Sequence, residues 1–498
     1  MSAQTLIWLS LLIPGLAAVG IALTGRWPNV REAVTLTAAV LLFACVAALV
    51  PDVVAGGRPD VTLIEMLPGL PMRFVVEPLG MLFALIASGL WIINSLYSIG
   101  YMRSNAEAHQ TRFYVCFAIA LASTMGVAFA GNMMTLFVFY EALTLSTYPL
   151  VTHKGNEEAK RAGRLYLGIL LSTSIGLQLL AIVWTWAVAG TLDFTAGGIL
   201  SGRVSGPVAG VLLLLYAYGI GKAALMPLHR WLPAAMVAPT PVSALLHAVA
   251  VVKAGVFTVV KVVVYIFGFD LIRETGAGDW LAAIAAATLL IASLVAMTKD
   301  NLKARLAYST VSQLAYVVLG AALATPAAVL GAGMHIAMHA MGKITLFFCA
   351  GAIYTAAHKT EISEMAGLGR VMPLTFAAFL IGALSIIGLP PMGGTWSKWY
   401  LMLGAVEADR LVMVVVLMIS SLLNIAYLVP VAARAFFLPA PRPAALGAAA
   451  APAAPDSGGI REAPLFCLIP LCLSAAGCIV LFFYADAIYD LLRPIVQP

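Results

Sequence analysis

GKAALMPLHRWLPAAMVAPTPVSALLHAVAVVK, residues 221–253, decides how this chain is read. Apolar residues dominate the stretch, yet Lys222, His247 and Lys253 lie within it, and Pro227, Pro233, Pro239 and Pro241 interrupt it. The flanking runs, 207–226 and 241–267, are apolar and long enough to span a bilayer. A charge at the bilayer centre costs roughly 2.5–3.5 kcal/mol even on the mildest scale, so a lysine there marks a functional site by default. Non-helical backbone at that depth is tolerated only where it is buried in protein or lines water. The stretch therefore reads as a broken, titratable element inside a membrane.

Outward from it, lysines recur in apolar runs at Lys261, Lys343 and Lys398, and the one comparably deep carboxylate expected is Glu141. An ammonium withdrawn from water releases its proton more readily, so a row of such groups suggests a proton path. The whole chain fits this setting. Of 498 residues, 62% are hydrophobic and only 10% charged, against about 25% charged in soluble domains. A net charge of +6 implies no nucleic acid, because the basic residues sit in short loops beside apolar runs and set topology. The six cysteines form no CxxC and no zinc or iron–sulfur spacing, and read as small core hydrophobes. The first apolar run extends to about Ala22 without a basic flank, which predicts a retained span, not a signal peptide.

Fourteen apolar runs are expected to span: 4–24, 32–50, 78–100, 113–130, 133–151, 164–189, 207–226, 241–267, 280–298, 304–323, 328–356, 372–404, 411–438 and 465–485. Met72 to Val76 is β-prone and predicts a hairpin outside the cytoplasm. With loops assigned alternately to two sides, one side holds seventeen Lys and Arg and the other six. The positive-inside rule puts the rich side in the cytoplasm and both termini outside, in a bacterial inner membrane. The expected fold is an all-α polytopic membrane bundle. It divides into an N-terminal three-helix region (1–110), two inverted five-helix repeats (111–268 and 279–438), an Ala/Pro-rich cytoplasmic linker (439–464) and a last helix (465–498). Each repeat carries a proline-interrupted helix late in its order, the seventh and the twelfth spans, the latter through Gly388-Leu-Pro-Pro-Met-Gly-Gly394. Interrupted helices at matching places of inverted repeats point to a transport path.

The candidate relay residues are Glu141, Lys222, His247, Lys253, His335, His339, Lys343 and Lys398, with Lys261 and His229 secondary. Glu141 reads as a partner for a buried lysine, Lys222, or as a structural carboxylate bound by Tyr140 or Thr144. The glycines at 219 and 221 allow close approach or local unwinding at Lys222. On an ideal helix His247 and Lys253 stand about 120° apart, so water or a local break must join them. Lys261 is expected to reach the membrane interface. His335, His339 and Lys343, at i, i+4 and i+8, share one helical stripe. Two histidines four apart can hold a metal, but no acid stands beside them and there is no HExxH; a proton relay fits better. Lys398, flanked by Trp396, Trp399 and Tyr400, reads either as an interfacial residue or as the relay's outlet beside a helix break. Neither a G-x-G-x-x-G after a strand nor a G-x-x-x-x-G-K-[ST] occurs, so no cofactor and no metal are expected.

These residues carry a resemblance. FYEALTL (139–145), the stretch from Gly221 to His247, Val252-Lys253-Ala-Gly255, LAYSTVSQ (306–313) and MHAMGK (338–343) resemble the antiporter-like subunits shared by multisubunit Na+/H+ (Mrp-type) antiporters and the membrane arm of respiratory complex I. The likeness covers roughly 75–435. It implies that Glu141 pairs with Lys222, that Lys253 is the central proton carrier with His247 nearby, and that Lys398 ends the second half-channel. Lysine at 398 departs from the complex I subunit that has glutamate there, and the chain looks most like the D-type subunits of Mrp antiporters. The resemblance thus implies a proton-conducting subunit exchanging H+ for Na+, with other membrane subunits and the lipid bilayer as partners. The alternatives are a proton-pumping subunit of NADH-quinone oxidoreductase or a related membrane-bound hydrogenase, and a structural subunit that no longer conducts. Gly342 and the long linker depart from the family pattern without an assignable consequence.

Overall fold

The computed structural model describes residues 1–439 and 459–497. Most of the Ala/Pro-rich stretch read as a linker therefore lies outside the described residues. Among the described residues, twelve helices are long and apolar enough to cross a membrane. Two shorter apolar helices, Gly206–Gly219 and Pro373–Ile387, begin the two interrupted segments. Together these account for the fourteen apolar runs. Many helices start on proline, which lacks the amide that a first turn leaves unpaired: Pro28, Pro78, Pro326 and Pro373. Others are capped by side chains, as where the Asn132 carbonyl accepts from the Thr135 amide at 2.8 Å. Glu462, past the undescribed stretch, caps the Pro373 helix by accepting from the Leu374 amide at 2.6 Å.

The β-prone segment forms a hairpin, β1 (Asp60–Leu67) pairing antiparallel with β2 (Leu70–Val75). Its far end leads into Glu77, whose carboxylate accepts from the Gly80 amide at 3.1 Å and so caps the Pro78–Ser104 helix.

Burial sorts the helices. Thr240–Phe267 is wholly enclosed, and Leu302–Leu323 and Pro326–Ala357 nearly so, whereas Leu411–Phe437 and Ala3–Leu23 turn many large apolar side chains outward. The three enclosed helices pack on one another and carry His247, Lys253, Lys261, His335, His339 and Lys343. Physical chemistry requires this arrangement, because titratable side chains are expensive against lipid and peripheral helices can meet it with leucine and valine.

The seventh segment stops at Gly219, makes one turn of 3-10 helix at Gly221–Ala223, takes a left-handed conformation at Ala224 (φ 53°), and continues as short helical turns to Val237. The Trp231 indole donates to the Gly221 carbonyl at 3.1 Å and ties the broken ends together. The enclosed helix presses on this break: a Cβ at Gly255 would lie 2.3 Å from the Lys222 carbonyl carbon. Only glycine fits there, and Lys222 is thereby fixed against the helix that carries Lys253. The twelfth segment breaks at Gly388 (φ 89°) and resumes at Gly394–Glu407. A Cβ at Gly394 would meet the Ser385 carbonyl oxygen at 1.9 Å, so the two halves lie in contact.

The enclosed helix is itself irregular. Its Leu245–Val249 turn is widened to a π-helix, and Ala250 departs from helical geometry (φ −122°, ψ −67°). The 120° separation expected of His247 and Lys253 does not apply to such a segment; a local break lies between them. π turns of this kind recur at functional sites.

Candidate functional site

Three clusters emerge. In the first, the Lys222 ammonium lies 3.2 Å from the centre of the Tyr140 ring and donates to the Tyr140 carbonyl at 2.8 Å and to the Thr144 hydroxyl at 2.5 Å. Its backbone amide donates to the Tyr140 hydroxyl at 3.1 Å. The expected contact between Glu141 and Lys222 is not made: no ion pair joins them among the described residues. Helical geometry gives the reason. Tyr140 and Thr144 share a face, whereas Glu141 is turned by about 100° from Tyr140. Both carboxylate oxygens of Glu141 are buried and meet no protein donor, so neither Tyr140 nor Thr144 serves it as a structural partner. A buried acid without a donor bears an unrelieved desolvation cost.

The second cluster runs through the enclosed helices. The Lys253 nitrogen is hydrogen-bonded to Nδ1 of His339. The rings of His339 and His335 stack, centres 5.9 Å apart and planes 12° apart, as the four-residue spacing predicts. His335 is held at both nitrogens, by the Ser397 hydroxyl at 2.9 Å and the Gln313 amide oxygen at 3.1 Å, and stacks on Tyr316. The Lys398 ammonium sits 4.7 Å from the centre of the Tyr316 ring and donates to the Ser421 hydroxyl at 3.1 Å and the Ile387 carbonyl at 2.9 Å. That carbonyl is one the helix break leaves unpaired, so the interruption builds the lysine's seat. Polar and titratable groups thus follow one another from Lys253 to Lys398.

Lys343 shares the helical stripe but turns aside, donating to the Leu306 carbonyl at 3.2 Å and the Ser309 hydroxyl at 2.6 Å. From there Tyr427, bonded to Ser309 at 2.9 Å, leads to Asn424. His247 is buried against Phe347, ring centres 4.7 Å apart, with neither ring nitrogen partnered by protein. His229 stands apart from all three clusters, its ring 6.0 Å from that of Tyr308.

The third cluster corrects one expectation. Lys261 does not reach an interface; it is fully buried, forms an ion pair with Glu77 at 3.3 Å, and donates to the Ala130 carbonyl at 2.8 Å. Glu77 and Glu32 are also buried within the protein, but at helix starts, whereas Glu141 lies in mid-helix. Glu32 is charge-paired with Arg31 and Arg103. Sequence reading missed Glu77 because the Glu-Pro step marks a helix start, where an acid reads as an ordinary cap. It also missed Gln313, Tyr316 and Ser397, which become partners only once three helices are brought together.

Residues 130–424 match the family model described as NADH:quinone oxidoreductase/Mrp antiporter, TM. The chain is 32% identical over 482 residues to NADH-quinone oxidoreductase subunit N of Desulforudis audaxviator, covering 92% of this chain and 93% of that one. It is 31% identical over 350 residues to NAD(P)H-quinone oxidoreductase chain 5 of a Synechocystis strain, where it spans about half of the relative's length (49%). Its fold superposes on a chain in the structure of the Mrp complex from Dietzia sp. DQ12-45-1b with a TM-score of 0.86 at 22% identity, covering 100% of this chain and 97% of the other.

Proposed function

This chain belongs to the NADH:quinone oxidoreductase/Mrp antiporter transmembrane family, and from that premise we propose that it conducts protons through its buried lysines and histidines as one subunit of a larger membrane assembly. The observation that carries the reading is the succession of contacts Lys253, His339, His335, Tyr316, Lys398, which starts in the enclosed helices and ends at the twelfth segment's break.

Proton movement follows from that succession. An ammonium at Lys253 hands its proton to Nδ1 of His339, leaving a neutral amine and an imidazolium. Rotation of the His339 ring carries the proton to His335, which Gln313 and Ser397 hold at its two nitrogens and which stacks on Tyr316, the ring beside Lys398. Glu141 and Lys222 act as the switch. When Lys222 swings from Thr144 toward Glu141, its positive charge is compensated; when it swings back, the charge bears on Lys253 across the Gly255 contact. In general a unit charge about 10 Å from another at an effective dielectric of about 20 is worth roughly 1.7 kcal/mol, somewhat more than one pKa unit. The cytoplasmic side is assigned to the basic loops, with both termini outside.

Which gradient or reaction drives the relay is the finer proposal. We assign the chain to a multisubunit monovalent cation/H+ antiporter, as a D-type Mrp subunit. The lysine at 398 supports this. A second reading, a pumping subunit of NADH-quinone oxidoreductase, is favoured by the end-to-end match to a subunit N. Vesicles containing the intact native complex separate the two. Acidification or alkalinisation on imposing Na+, K+ or Li+ gradients, without NADH or quinone, is the expected outcome. Proton movement only during quinone reduction would replace it with the second reading, and none under either condition would support a structural subunit.

A further inference from the structure

The Glu77–Lys261 pair plays no part in the relay just described, yet it is built like a site. Lys261 is fully buried, and only about a tenth of the Glu77 side chain is exposed. Glu77 accepts at one oxygen from Lys261 and the Gly80 amide, and at the other from the Tyr265 hydroxyl at 2.6 Å and the Leu79 amide at 3.3 Å. The Lys261 ammonium also lies 4.1 Å from the centre of the Phe194 ring. A cavity of about 450 Å³, open to the surface beside the β1–β2 hairpin, is lined by both members of the pair. Arg58, Arg73, Asp193 and Tyr265 are the other titratable groups on its wall, and Arg73 is already paired with Asp60 at 2.8 Å. Lys261 shares a regular helical stretch, Val251–Lys261, with Lys253. Eight residues of α-helix separate the two by about 12 Å along the axis. Phe257 stands near Lys261, 5.4 Å from ring centre to ammonium, and the two turns between the lysines carry no titratable side chain, so influence between them is electrostatic.

We propose that Glu77, held by Lys261 and Tyr265, is a second proton-binding site of the chain, exchanging with the aqueous phase on the hairpin side, and that through Lys261 it biases Lys253. In the resting pair Glu77 is a carboxylate and Lys261 an ammonium. A proton arriving from the cavity converts Glu77 to the carboxylic acid and leaves the Lys261 charge uncompensated; its departure to the cavity restores the pair. At about 12 Å and an effective dielectric of about 20, the uncompensated charge changes the proton affinity of Lys253 about tenfold. The hairpin-side pH would thus set how readily the relay loads. This coupling rests on the relay reading above; the proton site itself does not.

The test uses the intact complex in lipid. Infrared difference spectra taken across a pH step should show a carboxylic acid band that disappears in Glu77→Gln, and that titrates at a different pH in Tyr265→Phe, which keeps the carboxyl and loses one hydrogen bond. In the same Glu77→Gln preparation the dependence of proton flux on hairpin-side pH should shift by about one unit. Absence of any band distinguishing wild type from Glu77→Gln, in protein that remains assembled, overturns the site. A titrating band with an unmoved flux profile overturns the coupling to Lys253. Should flux prove independent of Lys253 altogether, the relay reading fails while the infrared result still judges Glu77. If Glu77→Gln does not assemble, Tyr265→Phe alone decides: an unmoved band contradicts the proposal.

Discussion

Replacing Lys253 by alanine is expected to reduce cation-driven proton flux to the background of vesicles lacking the complex, with assembly preserved. Among the described residues, Lys253 joins the enclosed helix at its middle to the histidine pair, through its bond to His339. Its neighbours on the helix, Val252 and Ala254, are buried and apolar, so nothing adjacent takes over. Alanine also leaves a cavity, and large-to-small changes in a packed core typically cost about 2–5 kcal/mol. Here that loss is offset in part because a desolvated amine is removed with the side chain. The measurement is proton flux alongside the amount of complex recovered from the membrane. Flux that survives in fully assembled Lys253→Ala complex would leave the chain a structural role.

The second large effect is expected at Glu141. Glu141→Ala should nearly abolish transport and leave assembly intact. The carboxylate makes no hydrogen bond with protein that packing could miss, so its removal unsatisfies no donor. What it removes is the one position where the Lys222 charge can be compensated inside the first cluster. Lys222 then stays on Tyr140 and Thr144, and the switch has a single state. Loss of the complex from the membrane, in place of loss of flux, would make Glu141 structural. Glu141→Asp should recover part of the flux, since charge and not shape is the property at work.

The fold was largely legible because the membrane imposes a coarse code. An apolar run of about twenty residues has few alternatives to a spanning helix, and glycine and proline around 219–241 and 388–394 announce the breaks. The histidine stack was legible for the same kind of reason, a spacing of four on one helix. What could not be read depends on how helices are rotated against one another. Gln313 and Tyr316 come from one helix, His335 from a second, and Ser397 and Lys398 from a third, and they meet only after packing. The orientation of Lys222 toward Thr144, away from Glu141, is likewise a matter of about 100° of helix rotation that a list of residues does not contain. Lys261 was misjudged because a lysine near a helix end ordinarily reaches the interface; here Glu77, from a segment almost two hundred residues earlier in the chain, gives it a buried partner.

The most direct test of the central idea, that protons pass between Lys253 and Lys398 through the stacked imidazoles, is nitrogen magnetic resonance of the lipid-embedded complex carrying 15N-labelled histidine. Assignments would come from His335→Asn and His339→Asn. The expected result is that the ring protons of His339 and His335 exchange with water, and do so faster when a cation gradient drives transport. Ring protons that stay locked on both histidines while flux proceeds at full rate would contradict it.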